Sequence, residues 1–544
     1  MARRGLESLN GQDFDTIVMG GGVVGASAAQ HLAAEGYAVL LVDKGDFGSG
    51  SSSRSGRLLH CGLRYMEPGE GRPYVVAGNS PVLKFMSDPK MFLSGCRRAR
   101  EAMTCRAQVV RTMRPRLSPE KFYVPVWEGG KYKPWHLSAA FGMLKLLGPK
   151  DVPLESRRYK RSEFMDQPLV RNLRDTEKLT GLASYQEYRF EWPERICLDT
   201  VLDAERLGAV VRNHTPVQGL EREADGNWAV TIADSAGESG IATARAPLVL
   251  NTTGMWIDRV NELAANGVKR RVTGTKGTHL MVKLPEECCG QGVIAEFRDG
   301  IPFYIYPWRN MHYIGPTDTL FEGDEDEVRA TDDEIDYLLD EANHLMPGLG
   351  GLTRSDLCFT WAGVRPQTTD PGDSMGARGR RIHDLAEDGM PGVLALTGGN
   401  IITHRLSGRD LCAAVKARLS PSGSPAPLSY DAKPFAPAAE SPSLLNHWDG
   451  ARLAHLRQAA EREHPVNLAD LLFRRVGAGW TETMAREGAH KAAETVADIL
   501  GWDEARIEKE VADYAHVLER LHRVGRGPDC VTDPMAPASG QRAG

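Results

Sequence analysis

No stretch of the 544 residues approaches the roughly 20 consecutive apolar side chains that a bilayer-spanning helix needs. The opening MARRGLESLNG has two arginines but no apolar run behind them, so no secretory leader is expected. An excess of positive charge is also missing. The 66 Lys and Arg are outnumbered by 72 Asp and Glu, and the net charge of −6 argues against a nucleic-acid partner. Cysteines are few: nine, odd in number and scattered, a usage that suits free thiols in a reducing cytoplasm. Cys288 and Cys289 adjoin, but no other cysteine or histidine gives them metal-ligand spacing, so no metal site is expected. The remaining composition, 41% hydrophobic and 25% charged, is that of a globular protein, and the length implies two or three domains.

What is present begins at residues 13–46, DFDTIVMGGGVVGASAAQHLAAEGYAVLLVDKGD. Thr16 to Met19 reads as a short apolar strand, Ala26 to Glu35 as a helix, and Ala38 to Val42 as a second strand ending at Asp43. Between strand and helix, Gly20, Gly22 and Gly25 fall at G-x-G-x-x-G spacing. Gly20 permits a tight turn, Gly22 lets backbone approach a pyrophosphate, and Gly25 lets helix and strand pack closely. The pyrophosphate then meets the free N–H groups and positive dipole end of the helix. Asp43 follows at the spacing that takes the ribose hydroxyls of an adenosine half. A lone glycine triplet would be weak; in this strand–turn–helix–strand–acid context it marks a dinucleotide site. The unit by itself does not separate NAD from FAD.

The next segment does. Residues 49–67, SGSSSRSGRLLHCGLRYME, contain a serine-rich turn (Ser51, Ser52, Ser53), then Arg57, Leu58, Leu59, His60, Cys61, Gly62, Leu63, Arg64 and Tyr65. This run resembles the segment that lies along the flavin in the membrane-associated, FAD-dependent glycerol-3-phosphate dehydrogenases. Cys61 stands where that family has glycine. The resemblance implies FAD as cofactor, with Ser52, Ser53, His60, Gly62 and Leu63 in contact with it. It continues in order over most of residues 13–520. LVLNTTG at 248–254 resembles a returning cofactor-domain strand ending at Gly254. VTGTKGTHLMVKL at 272–284 resembles the family's Lys-Gly-Ser-His segment, with His279 on the match. TWAGVRP at 360–366 carries a Gly-Val-Arg-Pro motif, and VLALTGGNIITHR at 393–405 resembles the closing strand–glycine turn–helix at the flavin, with Gly399 and Thr403 beside the cofactor.

The fold class expected is α/β (α+β). A discontinuous Rossmann-like FAD-binding domain (13–70, 190–265 and 355–418) holds an inserted mixed-sheet substrate domain (71–189 and 266–354). Residues 419–443, rich in Pro, Ala and Ser, read as a linker. Residues 444–524 carry apolar positions at three- and four-residue spacing and resemble the family's C-terminal helical domain, in which no chemistry is legible. The Pro/Gly/Ala-rich residues 525–544 are expected to form a disordered tail.

Oxidising a secondary alcohol with a flavin needs an acceptor for the hydride, a base for the hydroxyl proton, and a grip that holds substrate in register. A phosphate handle is best held by arginine, whose planar fork matches it bidentately. Arg64 and Arg365 lie inside matched motifs and Arg378 lies near one. In GARGRR, however, Arg378, Arg380 and Arg381 are interchangeable. The resemblance, together with a titration range near neutrality, makes His279 the candidate base, with Arg365 beside it in the catalytic set. Asn400 is the main departure: the family has lysine after this glycine turn, so a fixed cation near substrate and flavin is lost. The amide instead offers both a donor and an acceptor to a substrate hydroxyl. Residues 68–118 depart from the family as well.

These features imply a dehydrogenase that oxidises the secondary alcohol of a small polyol phosphate. Glycerol 3-phosphate and a longer one such as erythritol phosphate compete as substrate, with electrons passed to a quinone. An amino-acid or amine oxidase of the same broad fold is the alternative, and a non-enzymatic flavin-binding module with a decayed site is the third reading. Residues 131–150 mix Trp135, Leu137, Phe141, Met143, Leu144, Leu146 and Leu147 with four lysines. That suits peripheral contact with the inner face of the cell membrane by a cytoplasmic protein. An ordinary core helix explains the pattern equally well, and a homodimer is compatible with the sequence.

Overall fold

The computed structural model describes residues 3–66, 89–264 and 267–523, without the side chains of Arg64, Met66, Pro89 and Met91. The expected tail and much of the divergent 68–118 segment lie outside the described residues. Two large sheets organise the chain. The first has six strands, in the order Arg381–Asp384, Val393–Thr397, Leu248–Asn251, Thr16–Met19, Val39–Val42, Val210–Arg212. All its pairs are parallel except the one between Arg381–Asp384 and Val393–Thr397. Strands such as TIVM, VLLV and VLALT are buried throughout because helices cover one face of the parallel sheet and a three-stranded antiparallel sheet (Val217–Arg222, Trp228–Ala233, Ile241–Ala246) covers the other. Val23–Ala34 packs between Pro193–Arg206 and His404–Lys416.

The second sheet is mixed and has eleven strands, among them Leu117–Trp127, Leu179–Phe190, Val272–Val282, Pro302–Trp308, Met311–Gly315 and Leu357–Asp370. The boundary expected at 355 is displaced. Leu357–Asp370 and Asp373–Ala377 belong to this larger sheet, and the cofactor sheet resumes only at Arg381. The cause is a long antiparallel pairing with Val272–Val282, which sets Gly363 opposite Gly277 and Trp361 opposite His279. Local apolar patterning carries no information about such a partner.

Three helices, Leu453–Arg462, Ala489–Leu500 and Glu504–Val517, dominate the C-terminal region. Its buried Leu471, Phe473, Trp480 and Leu518 share one apolar cluster with Trp308, Tyr313 and Trp361 of the large sheet. The region therefore packs onto the sheet rather than around a core of its own. The eight cysteines among the described residues are all free thiols.

Candidate active site

A cavity of about 1540 Å³ runs between the two sheets, above the roughly 300–1,000 Å³ usual for small-molecule sites. One end is built by the opening unit. Gly20 has φ +97°, a backbone region that favours glycine. A Cβ on Gly25 would lie 1.9 Å from the Gly20 carbonyl oxygen, so only glycine lets the helix start this close to the turn. At Gly22 a Cβ would meet nothing nearer than Ser52 Oγ at 3.2 Å, so the protein itself leaves room there. Gly20, Gly22 and Asp43 all line the cavity. The Asp43 carboxylate accepts from Gly21 N–H at 2.6 Å and Gly45 N–H at 2.9 Å. Burial nevertheless pushes its pKa up to about 6, the two backbone donors opposing the rise.

Along the serine-rich turn, Ser52, His60 and Leu63 line the cavity. Ser52 Oγ accepts from Val23 N–H at 3.1 Å and so supports the first turn of the helix. Ser53, expected on the cofactor, is turned away: its hydroxyl donates to the carbonyls of Ser49 and Gly50 at 3.0 and 2.9 Å. Gly62, with φ +83°, shapes the chain behind the wall, where a Cβ would crowd Tyr65 and Ala102. Gly254 and Gly399 reach the cavity from the other strand ends, both at positive φ. Thr403 stands off the wall, 7% exposed, and donates to the Asn400 carbonyl at 3.2 Å.

His279 lies on Val272–Val282, all of whose residues are buried, and it faces the cavity at 2% exposure. Its ring stacks on Trp361 at 4.7 Å and 11° and meets Tyr313 edge-on at 5.7 Å. Neither ring nitrogen has a hydrogen-bond partner among the described residues. Leaving such a group unsatisfied typically costs about 1–3 kcal/mol, so the ring is built to meet something that enters the cavity. Burial, reinforced by Arg365 and Arg57, holds its pKa well below the ordinary histidine value. The imidazole is neutral and free to accept a proton.

Arg365 and Arg378 also line the cavity. They are joined by a residue that sequence reasoning missed. Asp318 accepts from Arg365 Nη1 at 3.1 Å through one carboxylate oxygen and from Arg378 Nη2 at 2.6 Å through the other. One carboxylate thus fixes two guanidinium groups side by side. Arg365 lies across Gly277, where a Cβ would come within 2.5 Å of Nη2. Position separates the three arginines of GARGRR: Arg378 lines the cavity, Arg380 is paired with Glu101 and Asp410 at 2.6 and 2.9 Å, and Arg381 is exposed on an edge strand. Arg64, the third candidate, has its side chain outside the described residues.

Asn400 lines the cavity but is engaged as a helix cap. Its Oδ1 accepts from Thr403 N–H at 3.1 Å, and its Nδ2 lies 3.5 Å from Tyr65 Oη. The expected two-way amide is corrected in part, because the acceptor oxygen is already committed to the turn. Arg57 was missed too. With φ +54° and no exposed surface, it lies between Trp308 at 4.2 Å and Trp480 at 4.0 Å, with Glu194 at 3.6 Å. It braces the aromatic wall that carries His279. Its place inside the serine-rich motif was legible, but its tryptophan partners were not.

The cavity and its glycine-lined turn fit an FAD: Gly20, Gly22, Asp43, Ser52, His60, Leu63, Gly254 and Gly399 would hold it. No helix among the described residues is long and apolar enough to cross a membrane. The DAO family of FAD dependent oxidoreductases matches residues 15–405. A glycerol-3-phosphate dehydrogenase of Synechocystis sp. is 32% identical over 80% of this chain and 76% of its own length. Glycerol-3-phosphate dehydrogenase 2 of Mycobacterium tuberculosis is 29% identical over 98% of this chain and 93% of its own. The fold is shared with the solved glycerol-3-phosphate dehydrogenase of Bacillus halodurans, which is complexed with FAD. That structure has a TM-score of 0.69 at 20% identity and covers 98% of both chains. The chain therefore belongs to the FAD-dependent oxidoreductase family, in its glycerol-3-phosphate dehydrogenase group.

Proposed function

We propose that the protein oxidises the secondary alcohol of a small polyol phosphate to the ketone and passes the electrons to a quinone. The observation that carries this reading is the pairing, in one cavity, of the Asp318-bridged Arg365 and Arg378 with a neutral His279 that has no hydrogen-bond partner among the described residues. FAD, when bound, supplies the two-electron acceptor. The two guanidinium groups take the phosphate, a forked arrangement suited to its oxygens. His279 takes the hydroxyl proton at a ring nitrogen, and its low basicity lets it release that proton afterwards. Aromatic packing keeps water off the ring. Arginines would also accept a carboxylate, so the test compares substrate classes. Under anaerobic conditions polyol phosphates should bleach the flavin absorbance and amino acids should not; the reverse result would favour an amine or amino-acid oxidase.

Asn400 tunes which polyol phosphate is preferred. Where the resemblance leads one to expect a lysine, an uncharged cap residue stands beside Tyr65. A hydrogen bond to a charged group contributes about 1.5–3 kcal/mol, so its loss lowers efficiency on the smallest substrate by roughly 10- to 100-fold. The natural protein should favour a four-carbon polyol phosphate in kcat/KM, and Asn400→Lys should shift preference toward glycerol 3-phosphate. Losing the cap should cost about 1 kcal/mol of stability. A natural protein that already prefers glycerol 3-phosphate would refute the shift.

Peripheral membrane contact fits the helix Pro134–Leu147. It buries Leu137, Phe141 and Leu144 while Trp135 and Leu146 are 53% and 85% exposed. These two lie about three turns apart on one face, with the exposed Lys131, Lys133 and Lys145 nearby. Such a face suits an anionic lipid interface. The protein should sediment with anionic vesicles at low salt and be released by Trp135→Ser with Leu146→Ser; equal sedimentation of the variant would count against this contact.

A further inference from the structure

The C-terminal region showed no chemistry in its sequence, yet it supplies part of the cavity wall. Asn467, Asp470 and Arg474 line the cavity at the end where Asp43, Asp46 and His214 also stand. A dense ion cluster ties these two groups of residues together. Asp46, 1% exposed, accepts from Arg475 Nη2 at 2.8 Å and from Asn213 Nδ2 at 2.8 Å, and Arg474 Nε and Arg475 Nη1 donate to its other oxygen. Asp470, with no exposed surface, accepts from Val466 N–H at 2.9 Å and pairs with His214 Nε2 at 2.9 Å and with Arg474. Asn213 also donates to the His464 carbonyl at 2.8 Å. Both Asn213 and His214 follow directly on the edge strand of the cofactor sheet, and His214 holds φ +46° to make its contact.

The ligand atoms of Asp46, His214 and Asp470 come within 4.8 Å of one another, a grouping that could hold a metal ion. Two guanidinium groups already lie against these carboxylates, so a divalent cation would meet repulsion and find the negative charge neutralised. Buried ion pairs add little net stability, but removing one partner strands the other at high cost, so such clusters hold one geometry strictly. Here the geometry held is that of residues 466–475 against the Asp43 end of the dinucleotide cavity.

We infer that residues 466–475 are a latch on the cofactor: the cluster of Asp46, His214, Asp470, Arg474 and Arg475 docks the C-terminal region over the Asp43 end of the cavity and so slows loss of FAD. Docking and FAD binding then stabilise each other by the same factor, as linkage requires. The latch acts on the cofactor whichever alcohol is oxidised. It also carries a pH dependence. His214 is faced by Asp470, Asp46, Arg474 and Asp43. Burial lowers its pKa, but the carboxylates, Asp470 foremost, more than offset this, and the net shift is upward. The charged form is thus favoured by docking: its contribution is complete below the ordinary histidine value and is lost as pH rises through the docked value.

The test is FAD affinity of the full chain, read from the fluorescence of released flavin, with melting of apo and FAD-loaded protein alongside. Asp470→Asn and Arg474→Gln should weaken FAD at least tenfold, about 1.4 kcal/mol, and shrink the rise in Tm that FAD produces. His214→Gln, at a partly exposed position, keeps a donor without the charge. It should abolish the loss of FAD affinity seen in the parent as pH rises. In hydrogen exchange, amides of residues 466–475 should gain protection on loading with FAD. An unchanged FAD affinity with an equal fall of Tm in apo and loaded protein would overturn the latch. So would identical exchange of 466–475 in both states, or loss of FAD on adding a chelator, which would restore the metal reading.

Discussion

Replacing His279 by asparagine should lower kcat by about 10²- to 10⁴-fold, the usual contribution of a positioned base, while the protein keeps its flavin colour. Among the described residues the ring has no hydrogen-bonding partner that its loss would strand, so folding and FAD content should change little. The pH profile supplies the sharper reading. Burial, with Arg365 and Arg57 nearby, depresses the pKa of His279, and a base must be neutral to act. Activity is therefore retained above the depressed value and lost only below it, so the acid limb of kcat should lie below the ordinary histidine value of about 6.5. A substrate phosphate titrates near 6, so kcat, which reports the complex, is the quantity to follow. A variant within threefold of the parent in kcat, or a parental acid limb above 6.5, would remove His279 from the role of base.

Gly25→Val should abolish FAD binding and fold stability together, whereas Gly22→Val should leave a folded but colourless protein. The motif gives the two glycines different tasks, and what surrounds each differs accordingly. At Gly25 even a Cβ would sit 1.9 Å from a backbone oxygen and 2.5 Å from Thr252 Oγ1. Overpacking a core usually costs about 1–3 kcal/mol, and more where the clash is with backbone that cannot yield. At Gly22 the protein leaves room, and a side chain would instead project where the pyrophosphate approaches. Flavin absorbance per mole of protein and the melting temperature separate the two effects. A Gly25→Val protein with parental Tm and full colour would contradict this account of the turn.

Two departures noted in the sequence have different weights in three dimensions. Cys61, in place of glycine, is buried, and its N–H donates to Glu187 at 2.8 Å, a carboxyl that burial pushes up to about 7. Asn400, in place of lysine, caps the turn Ile401–Thr403 that leads into the helix His404–Lys416, so one position both lacks the cation and closes that turn.

The amino-acid sequence by itself determined the opening strand, with the bounds Thr16–Met19, along with the glycine turn, the acid at Asp43 and the apolar runs that form the cofactor strands. Each of these is written in contiguous residues through local sterics and apolar runs. His279, Arg365 and the flavin segment were legible through motifs that resemble a known family. Only the tertiary structure decided that Arg378 rather than Arg380 faces the cavity, that Asp318 yokes it to Arg365, and that Trp361 backs His279. It also decided that Leu357–Asp370 belongs to the larger sheet and that Asp470 and Arg474 reach the cofactor end from the far side of the chain. These are contacts between residues tens to hundreds of positions apart. Local propensity is blind to them, because strand register and the pairing of buried charges are set by which surfaces exclude water together once the chain has folded.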